Sequence, residues 1–239
     1  GSKVIDKSKV WHTEGMYNFS DRIKFIELQV GGSYRLYSIN SEGTIFTDVP
    51  GEPIMVSQFG AYFQTGKKIF KERLKVVAAA RYDKNENFDG HFTPRFSLVY
   101  SADKEGTRNI RASYQTAFRF PTIADQFVNL NTGRYEVVGG LQSVQQLHQF
   151  DTSPVYPLSG TNTIIDKPIT ENGPFRIPAF GPEHVAAAEV GYKGLHFNKK
   201  ILIDAYVFRN VYNGFLATQV LAQYPNTPQE RRYETTIST

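Results

Sequence analysis

The sequence predicts an all-β fold, an antiparallel up-and-down meander whose strands have the patterning of a large transmembrane β-barrel. Three observations predict it. Aromatic residues, which favour strands, make up 14% of the 239 residues. Polar and apolar residues alternate over stretches close to the ~9 to 11 residues that a membrane-spanning strand needs. The connections alternate in length, as in barrels with short turns at one rim and long loops at the other.

Four stretches alternate clearly enough to be strong strand predictions. In the first, even positions such as Ile26 and Val30 are apolar and odd positions such as Glu27 and Arg35 are polar, which gives the strand one apolar and one polar face. The four stretches are residues 26–37, 74–82, 92–100 and 109–118. Weaker strands are predicted at 10–19, 54–65, 184–193, 201–210 and near 215–223, with the final RRYETTIST resembling the start of another. No helix is predicted apart from a turn within 144–150.

The connections between these strands fall into two classes. Short ones hold the Gly, Asp, Asn and basic residues that tight turns prefer, and are predicted at 20–24, 66–73, 102–108 and 194–200. Long ones are predicted at 38–53, 83–91 and 120–183. Short and long connections therefore lie on opposite edges of the meander. The longest begins where Pro121 ends the alternation, because proline cannot donate to a strand ladder, and there we expect the chain to leave a bilayer.

A soluble β-sandwich also alternates, so the placement of the bulky residues helps to separate the two folds. A sandwich usually places its largest side chains mid-strand, in the core between the sheets. Here the polar faces are rich in Arg, Gln, Ser, Asn and Glu, which suits a water-filled lumen, and the aromatics tend towards strand ends on the other face. These aromatics are Tyr34, Phe59, Phe63, Tyr82, Phe92, Tyr100, Tyr114 and Phe118. A soluble module that binds carbohydrate or another ligand, and a passive porin, remain alternatives.

Composition and motifs argue against several other classes of function. The 27 basic residues are scattered among 23 acidic ones without a stripe, so no nucleic-acid partner is predicted. There is no cysteine, and the five histidines show no metal-ligand spacing, so no metal site is expected. The sequence contains neither a GxSxG nucleophile motif nor a phosphate-binding glycine loop. We therefore predict no enzyme activity and no cofactor.

Three stretches resemble the barrel of TonB-dependent outer-membrane receptors. RYD at 81–83, followed by TPRFSLVY at 93–100, resembles that family's RYD…SPR…Y hairpin. YQTAFRFPT at 114–122 resembles its Y-x-x-x-F-R-x-P-[ST] junction between strand and loop. GPEHVAAAEVGYKG at 181–194 is similar to its L-K-P-E…Y-E-x-G-Y-[KR]-G strand, although Gly181 and Ala188 depart from the common residues. Order and rough spacing agree over most of residues 73–215.

The resemblance implies a barrel of 22 antiparallel strands, closed by an N-terminal plug, that imports a scarce nutrient with energy from the TonB complex. Residues 1–239 would then be a segment of the barrel domain, lacking the plug and the remaining strands, in the outer membrane of a Gram-negative bacterium with its long loops extracellular. The nutrient would be siderophore-bound iron, cobalamin, a glycan or a peptide. Membrane lipid, the plug, the TonB complex and a surface lipoprotein are the partners it suggests. Segments such as NSEGTIF at 40–46 and RYDKNENFDGHFTPRF at 81–96 look most like those of receptors from Bacteroidetes bacteria.

Two sets of side chains are the binding candidates. The first lies in the long loop, where aromatic and guanidinium groups suit stacking on a sugar, a chelate or a corrin, although such aromatics also pack long loops against their neighbours. This set is Arg134, Tyr135, Tyr156, Phe175, Arg176 and Phe180. The second is expected to face the lumen, where it would either attract anions or pair with acidic groups of the wall or plug. This set is Arg35, Arg81, Arg95, Arg111 and Arg119.

Overall fold

The computed structural model describes residues 3–159 and 167–239, which form two β-sheets and two short helices. In chain order the elements are β1 (Lys9–Asn18), β2 (Glu27–Ile39), β3 (Ile54–Ile69), β4 (Leu74–Asn85), β5 (Phe88–Ser101), β6 (Arg108–Arg119), α1 (Ile123–Phe127), β7 (Asn129–Asn131), β8 (Glu136–Val138), α2 (Gln142–Leu147), β9 (Val155–Ser159), β10 (Lys167–Pro168), β11 (Glu183–His196), β12 (Ile201–Asn213), β13 (Leu216–Gln223) and β14 (Arg231–Ser238). Neither helix among the described residues is long and apolar enough to cross a membrane.

The main sheet has eight antiparallel strands in the order β1-β2-β3-β4-β5-β6-β11-β12. Chain neighbours pair throughout, except that β11 follows β6 after the long loop. The all-β meander is therefore confirmed, with strands at every position where one was predicted. The sheet does not close on itself: β1 and β12 are its two edges, and the residues of both are exposed along their whole length.

The two ends of the strands carry different connections. The short-turn edge, as we call it, holds the connections 19–26, 70–73, 102–107 and 197–200. The long-loop edge holds 40–53, 86–87, 120–182 and 214–215. One length prediction was wrong, because the expected loop at 83–91 is a two-residue connection. There the Asn85 side chain accepts a hydrogen bond from the Asn87 backbone at 2.9 Å, so that strand pairing continues almost to the tip.

One face of the main sheet is apolar and uncovered. Phe96 stands directly opposite Tyr114, and Val190 opposite Val207, and side chains paired in this way project to the same side. These side chains are 53%, 46%, 53% and 69% exposed, respectively. A soluble sandwich would cover such a face with a second sheet, because exposed apolar surface of this extent is unfavourable in water.

A second sheet forms at the long-loop edge, from segments that the sequence left mostly unassigned. Its order is β10-β9-β13-β14-β8-β7, with β8 and β14 parallel. Pattern alone predicted β13 and the start of β14 but not β7 to β10, which are only two to five residues long. A buried apolar core joins this sheet to the ends of β2 and β3, and it consists of Ile39, Val56, Phe127, Val138, Val144 and Tyr233.

Candidate functional site

A cleft of about 610 Å³ opens on the polar face of the main sheet, next to the long-loop edge. Three of the five predicted arginines line it, from three different strands: Arg35 on β2, Arg81 on β4 and Arg119 at the end of β6. Amide, hydroxyl and carboxylate groups complete the polar lining, contributed by Tyr37, Gln58, Asp83, Asn85, Thr93, Thr116, Thr122 and Gln126. The cleft can therefore offer several hydrogen bonds and positive charge to one ligand.

Strand register places all five arginines on this polar face, beginning with the first two. Arg35 stands opposite Gln58, and Gln58 stands opposite Asn85. Asn85 lies four residues from Arg81 on β4, and residues an even number apart on a strand share a face. Arg35 and Arg81 therefore project to the same side.

The same reasoning reaches the other three. Arg81 stands opposite Thr93, which lies two residues from Arg95. Arg95 stands opposite Gln115, which lies four residues from both Arg111 and Arg119 on β6. The register therefore places all five arginines on one face of the sheet, and that this face lines a lumen stays a prediction.

Three of the arginines are paired with acidic side chains of the same sheet. Arg81 donates two hydrogen bonds of 2.7 Å to the Asp83 carboxylate. The Arg119 guanidinium lies 2.6 Å and 2.7 Å from one Glu183 oxygen. The Arg111 guanidinium lies 3.1 Å from Glu189 and 3.4 Å from Asp204, and forms an ion pair with each. The wall thus neutralises much of its own positive charge.

Arg35 and Arg95 differ from the other three. Within the part of the chain that the structure describes, neither forms an ion pair. Arg35 donates a hydrogen bond of 3.1 Å to the Tyr37 hydroxyl, and its guanidinium lies 6.0 Å from the centre of that ring. Arg95 lines a smaller hollow of about 450 Å³ beside the cleft, together with Arg81 and Glu14. These two guanidinium groups leave positive charge available to an anion.

The long-loop candidates do not form one site. Phe175, Arg176 and Phe180 line a second cleft of about 660 Å³ with residues of α2 and the β4–β5 connection. Arg134 and Tyr135 lie in the turn between β7 and β8, where the guanidinium stacks 4.9 Å from the centre of the tyrosine ring. Tyr156 is on β9, opposite Ala222 of β13. The three groups line different parts of the loop region.

Phe180 has a clear packing role. Its ring centre lies 5.8 Å from that of Phe88, and Phe88 stacks at 5.8 Å on Phe120. The ring also covers Gly140, where any added Cβ would overlap it. Since Phe120 begins the long loop and Phe180 stands near its end, these contacts fix both ends of the loop against the β5 start. The packing alternative thus accounts for this candidate.

The family comparison decides what kind of protein this is. A family model described as "TonB dependent receptor-like, beta-barrel" matches residues 7–237. The chain belongs to this family. The family is one of transport receptors rather than of enzymes, and its assignment confirms the resemblance seen in the three sequence motifs.

Solved structures of siderophore receptors share the fold. The siderophore receptor PirA from Pseudomonas aeruginosa superposes with a TM-score of 0.62 at 13% identity, covering 98% of this chain and 38% of that one. The siderophore receptor PirA from Acinetobacter baumannii gives 0.54 at 13% identity, covering 97% and 32%. This chain therefore spans about two fifths or less of each receptor. Comparison with curated protein sequences finds no significant match.

Sequence reasoning missed several groups at the cleft of this TonB-dependent receptor barrel. Gln126 is 1% exposed, and its amide donates a hydrogen bond of 2.7 Å to the Pro121 carbonyl and accepts one of 2.8 Å from Asn87. It lies on α1, whose start is set by a capping box between Thr122 and Asp125. That T-x-x-D spacing directly after Pro121 was the available signal for the helix and for Gln126 at its buried face.

Proposed function

We propose that this TonB-dependent receptor chain forms part of an outer-membrane barrel wall and serves the TonB-energised uptake of a scarce nutrient. The observation that carries the proposal is the division of the main sheet into two faces. One is apolar and exposed, as a lipid-facing surface is, and the other carries the arginine-lined cleft of about 610 Å³. In this arrangement the polar face lines the lumen, the long-loop edge is extracellular and the short-turn edge is periplasmic.

We infer further that residues 1–239 are one segment of a longer barrel domain. The chain covers 38% and 32% of the two siderophore receptors, and its main sheet has two unpaired edges. Unpaired strand edges are not tolerated in a bilayer, because lipid cannot satisfy their backbone groups. Further strands of the same protein would pair with them, with a plug inside, the TonB complex as energy source and a surface lipoprotein as a further candidate partner. A Bacteroidetes-type receptor remains the origin that the sequence suggests.

An anionic nutrient fits the cleft best. Arg35 lines the cleft, and Arg95 is exposed in the hollow beside it, which Glu14 also lines. Neither guanidinium forms an ion pair among the described residues, so both can donate charge-assisted hydrogen bonds to an anion. Of the four nutrient classes considered, ferric siderophores are therefore the first to test, and both structural neighbours are siderophore receptors. Cobalamin, glycans and peptides are the other arms of that test.

The experiment compares ferric-siderophore binding and uptake by the full-length receptor and its Arg35→Gln variant. Because hydrogen bonds to charged groups contribute about 1.5–3 kcal/mol, we expect Arg35→Gln to weaken binding at least tenfold. Arg108→Gln, at the short-turn edge, is the matched control and should bind as the parent does. Uptake should also disappear in cells without TonB. Equal affinity of Arg35→Gln and parent for every nutrient that is bound would contradict this site.

A further inference from the structure

Two turns at the short-turn edge share a backbone conformation that residues other than glycine rarely adopt. Residues 70–72 have φ of 52°, 54° and 65°, and residues 197–199 have φ of 51°, 53° and 66°. Each turn is closed by a backbone hydrogen bond to the carbonyl of its first residue, at 3.3 Å and 3.2 Å. Three successive left-handed residues without glycine are sterically unfavourable. The chain nevertheless builds the same turn twice.

Both turns begin with a phenylalanine whose side chain is largely exposed. Phe70 is 73% exposed and Phe197 is 74% exposed, more than any other large apolar side chain in the described residues. Phe25, in the neighbouring turn, is 71% exposed, and the Lys67 ammonium lies 5.6 Å from its ring centre. Large apolar side chains at a turn, far from the core, gain free energy only by entering another apolar phase.

The same two turns concentrate positive charge. Residues 66–75 hold five basic side chains and one acidic, and residues 193–201 hold three basic and none acidic. The other two segments of this edge, 19–27 and 101–109, each hold two of either sign. Outside these four segments the chain has fifteen basic and eighteen acidic residues. The positive net charge of the whole chain therefore comes from the two phenylalanine turns.

Most of this charge is not neutralised by ion pairs among the described residues. Lys71, Arg73, Lys199 and Lys200 form no ion pair with any residue that the structure describes. The balanced turn 102–107 differs because it carries an acidic group that is stabilised in its charged form. The Asp103 carboxylate accepts hydrogen bonds from the Thr107 hydroxyl and backbone, and these keep the pKa of Asp103 below its ordinary value. Lys71 and Arg73 line one hollow with Phe70 and with the carboxylates of Glu72, Asp103 and Glu105, but form no ion pair with them. The turn 197–200 presents two ammonium groups without an ion pair among the described residues beside an exposed ring.

We propose that turns 70–73 and 197–200 dock on anionic glycerophospholipid headgroups. The two phenylalanine rings enter the boundary between headgroups and acyl chains, and Lys71, Arg73, Lys199 and Lys200 contact the phosphates, where each charge strengthens attraction to an anionic surface about fivefold. The inference deepens the proposed function, on which it rests for the placement of the apolar face in lipid. It adds a preference for one class of lipid at one rim.

The test uses the full-length receptor and phosphatidylglycerol as the probe, titrated against the protein in low salt and followed by native mass spectrometry. The variant carries Lys71→Gln, Arg73→Gln, Lys199→Gln and Lys200→Gln, and we expect its affinity for phosphatidylglycerol to fall by at least a hundredfold, with binding of phosphatidylethanolamine unchanged. The control is Lys104→Gln with Arg108→Gln, which removes two charges from the neighbouring balanced segment 101–109 and, at about fivefold a charge, should lose no more than about twenty-five-fold. High salt should reduce the difference between variant and parent.

Two results would overturn the inference: equal phosphatidylglycerol affinity of variant and parent, or an equal loss in the control. Flotation with vesicles of phosphatidylethanolamine and phosphatidylcholine separates this outcome from failure of the proposed function. A parent protein that inserts into these neutral vesicles but shows no preference for phosphatidylglycerol contradicts the inference alone. A parent protein that does not insert contradicts the membrane placement itself. The Phe70→Ser and Phe197→Ser double variant should insert but bind phosphatidylglycerol more weakly, and unchanged binding counts against the aromatic contribution.

Discussion

At the scale of single residues, the polar face shows how far charge pairing can be foreseen. The ion pair between Arg81 and Asp83 joins residues two apart on one strand, so alternation alone puts both on the same face. The partners of Arg119 and Arg111 lie 64 and 78 residues away, at Glu183 and Glu189. Those pairs depend on the register between β6 and β11. The long loop between the two strands means that no local sequence pattern predicts this register.

His148 gives a prediction at the same scale, in the core of the loop region. Its Nε2 lies 2.9 Å from the Asn129 side-chain oxygen and its Nδ1 lies 3.6 Å from Glu136. Burial lowers the pKa of His148, an effect that the nearby Arg231 reinforces and Glu136 opposes. The folded state thus favours neutral imidazole, whereas the unfolded chain takes up a proton near the ordinary value of about 6.5.

The consequence for stability follows from this direction of shift. The contribution of His148 is complete above its unfolded pKa and is lost as the pH falls below it towards the folded pKa, because the unfolded state then binds more protons. We expect the urea midpoint of the parent to drop between pH 7 and pH 5 by more than that of His148→Gln. Parallel midpoints across this range would contradict a buried neutral histidine.

At the scale of elements, strands of the main sheet were predictable and the loop region was not. Each main strand is longer than nine residues, so its period of two repeats often enough to be read. The strands β7 to β10 span two to five residues, too few for a period. Of these, β8 pairs with β14 and β9 with β13, both distant in sequence, while β7 and β10 pair with β8 and β9. Their existence depends on contacts, not on local preference.

The hairpin β13–β14 carries a prediction of its own. The Tyr233 side chain is fully buried, and its hydroxyl donates a hydrogen bond of 3.1 Å to the Gln223 amide oxygen, which is also buried. The Gln223 amide nitrogen in turn donates to the His148 carbonyl at 3.0 Å. Tyr233→Phe leaves a buried acceptor without its donor, so we expect a loss of about 1–3 kcal/mol in the free energy of unfolding.

The control for this change is Tyr224→Phe, which removes a hydroxyl whose contact with Ser153 is exposed. Its unfolding free energy should stay within about 0.5 kcal/mol of the parent. Urea unfolding in the same detergent measures both. A Tyr233→Phe variant as stable as Tyr224→Phe would show that the hydrogen bond does not stabilise the loop region.

At the scale of the whole molecule, the two edges of the main sheet differ in length, in charge and in packing. The long-loop edge carries the second sheet, the buried core and the arginine-lined cleft, whereas the short-turn edge carries turns with bare phenylalanines and an excess of basic side chains. In the proposed arrangement this asymmetry gives the sheet a direction across a membrane. The proposed topology places nutrient capture and lipid attraction on opposite sides.

Labelling of intact cells tests this orientation. A small epitope inserted after Asn131, in the β7–β8 turn of the long-loop edge, should be reached by antibody from outside. The same epitope inserted after Gly106, in the turn between β5 and β6, should be reached only after the outer membrane is permeabilised. The reverse pattern of labelling would overturn the topology.

The sequence by itself determined three features: strands with one polar and one apolar face, short and long connections on opposite edges of the sheet, and the family. Side-chain alternation, loop length and short motifs are all local properties of the chain. Only the tertiary structure decided which arginines are paired, that Phe180 packs against Phe88, and that the loop after Pro121 folds into part of a second sheet. Each of those features joins segments far apart in sequence. Their stability comes from burial and cross-strand pairing, which no local window of residues contains.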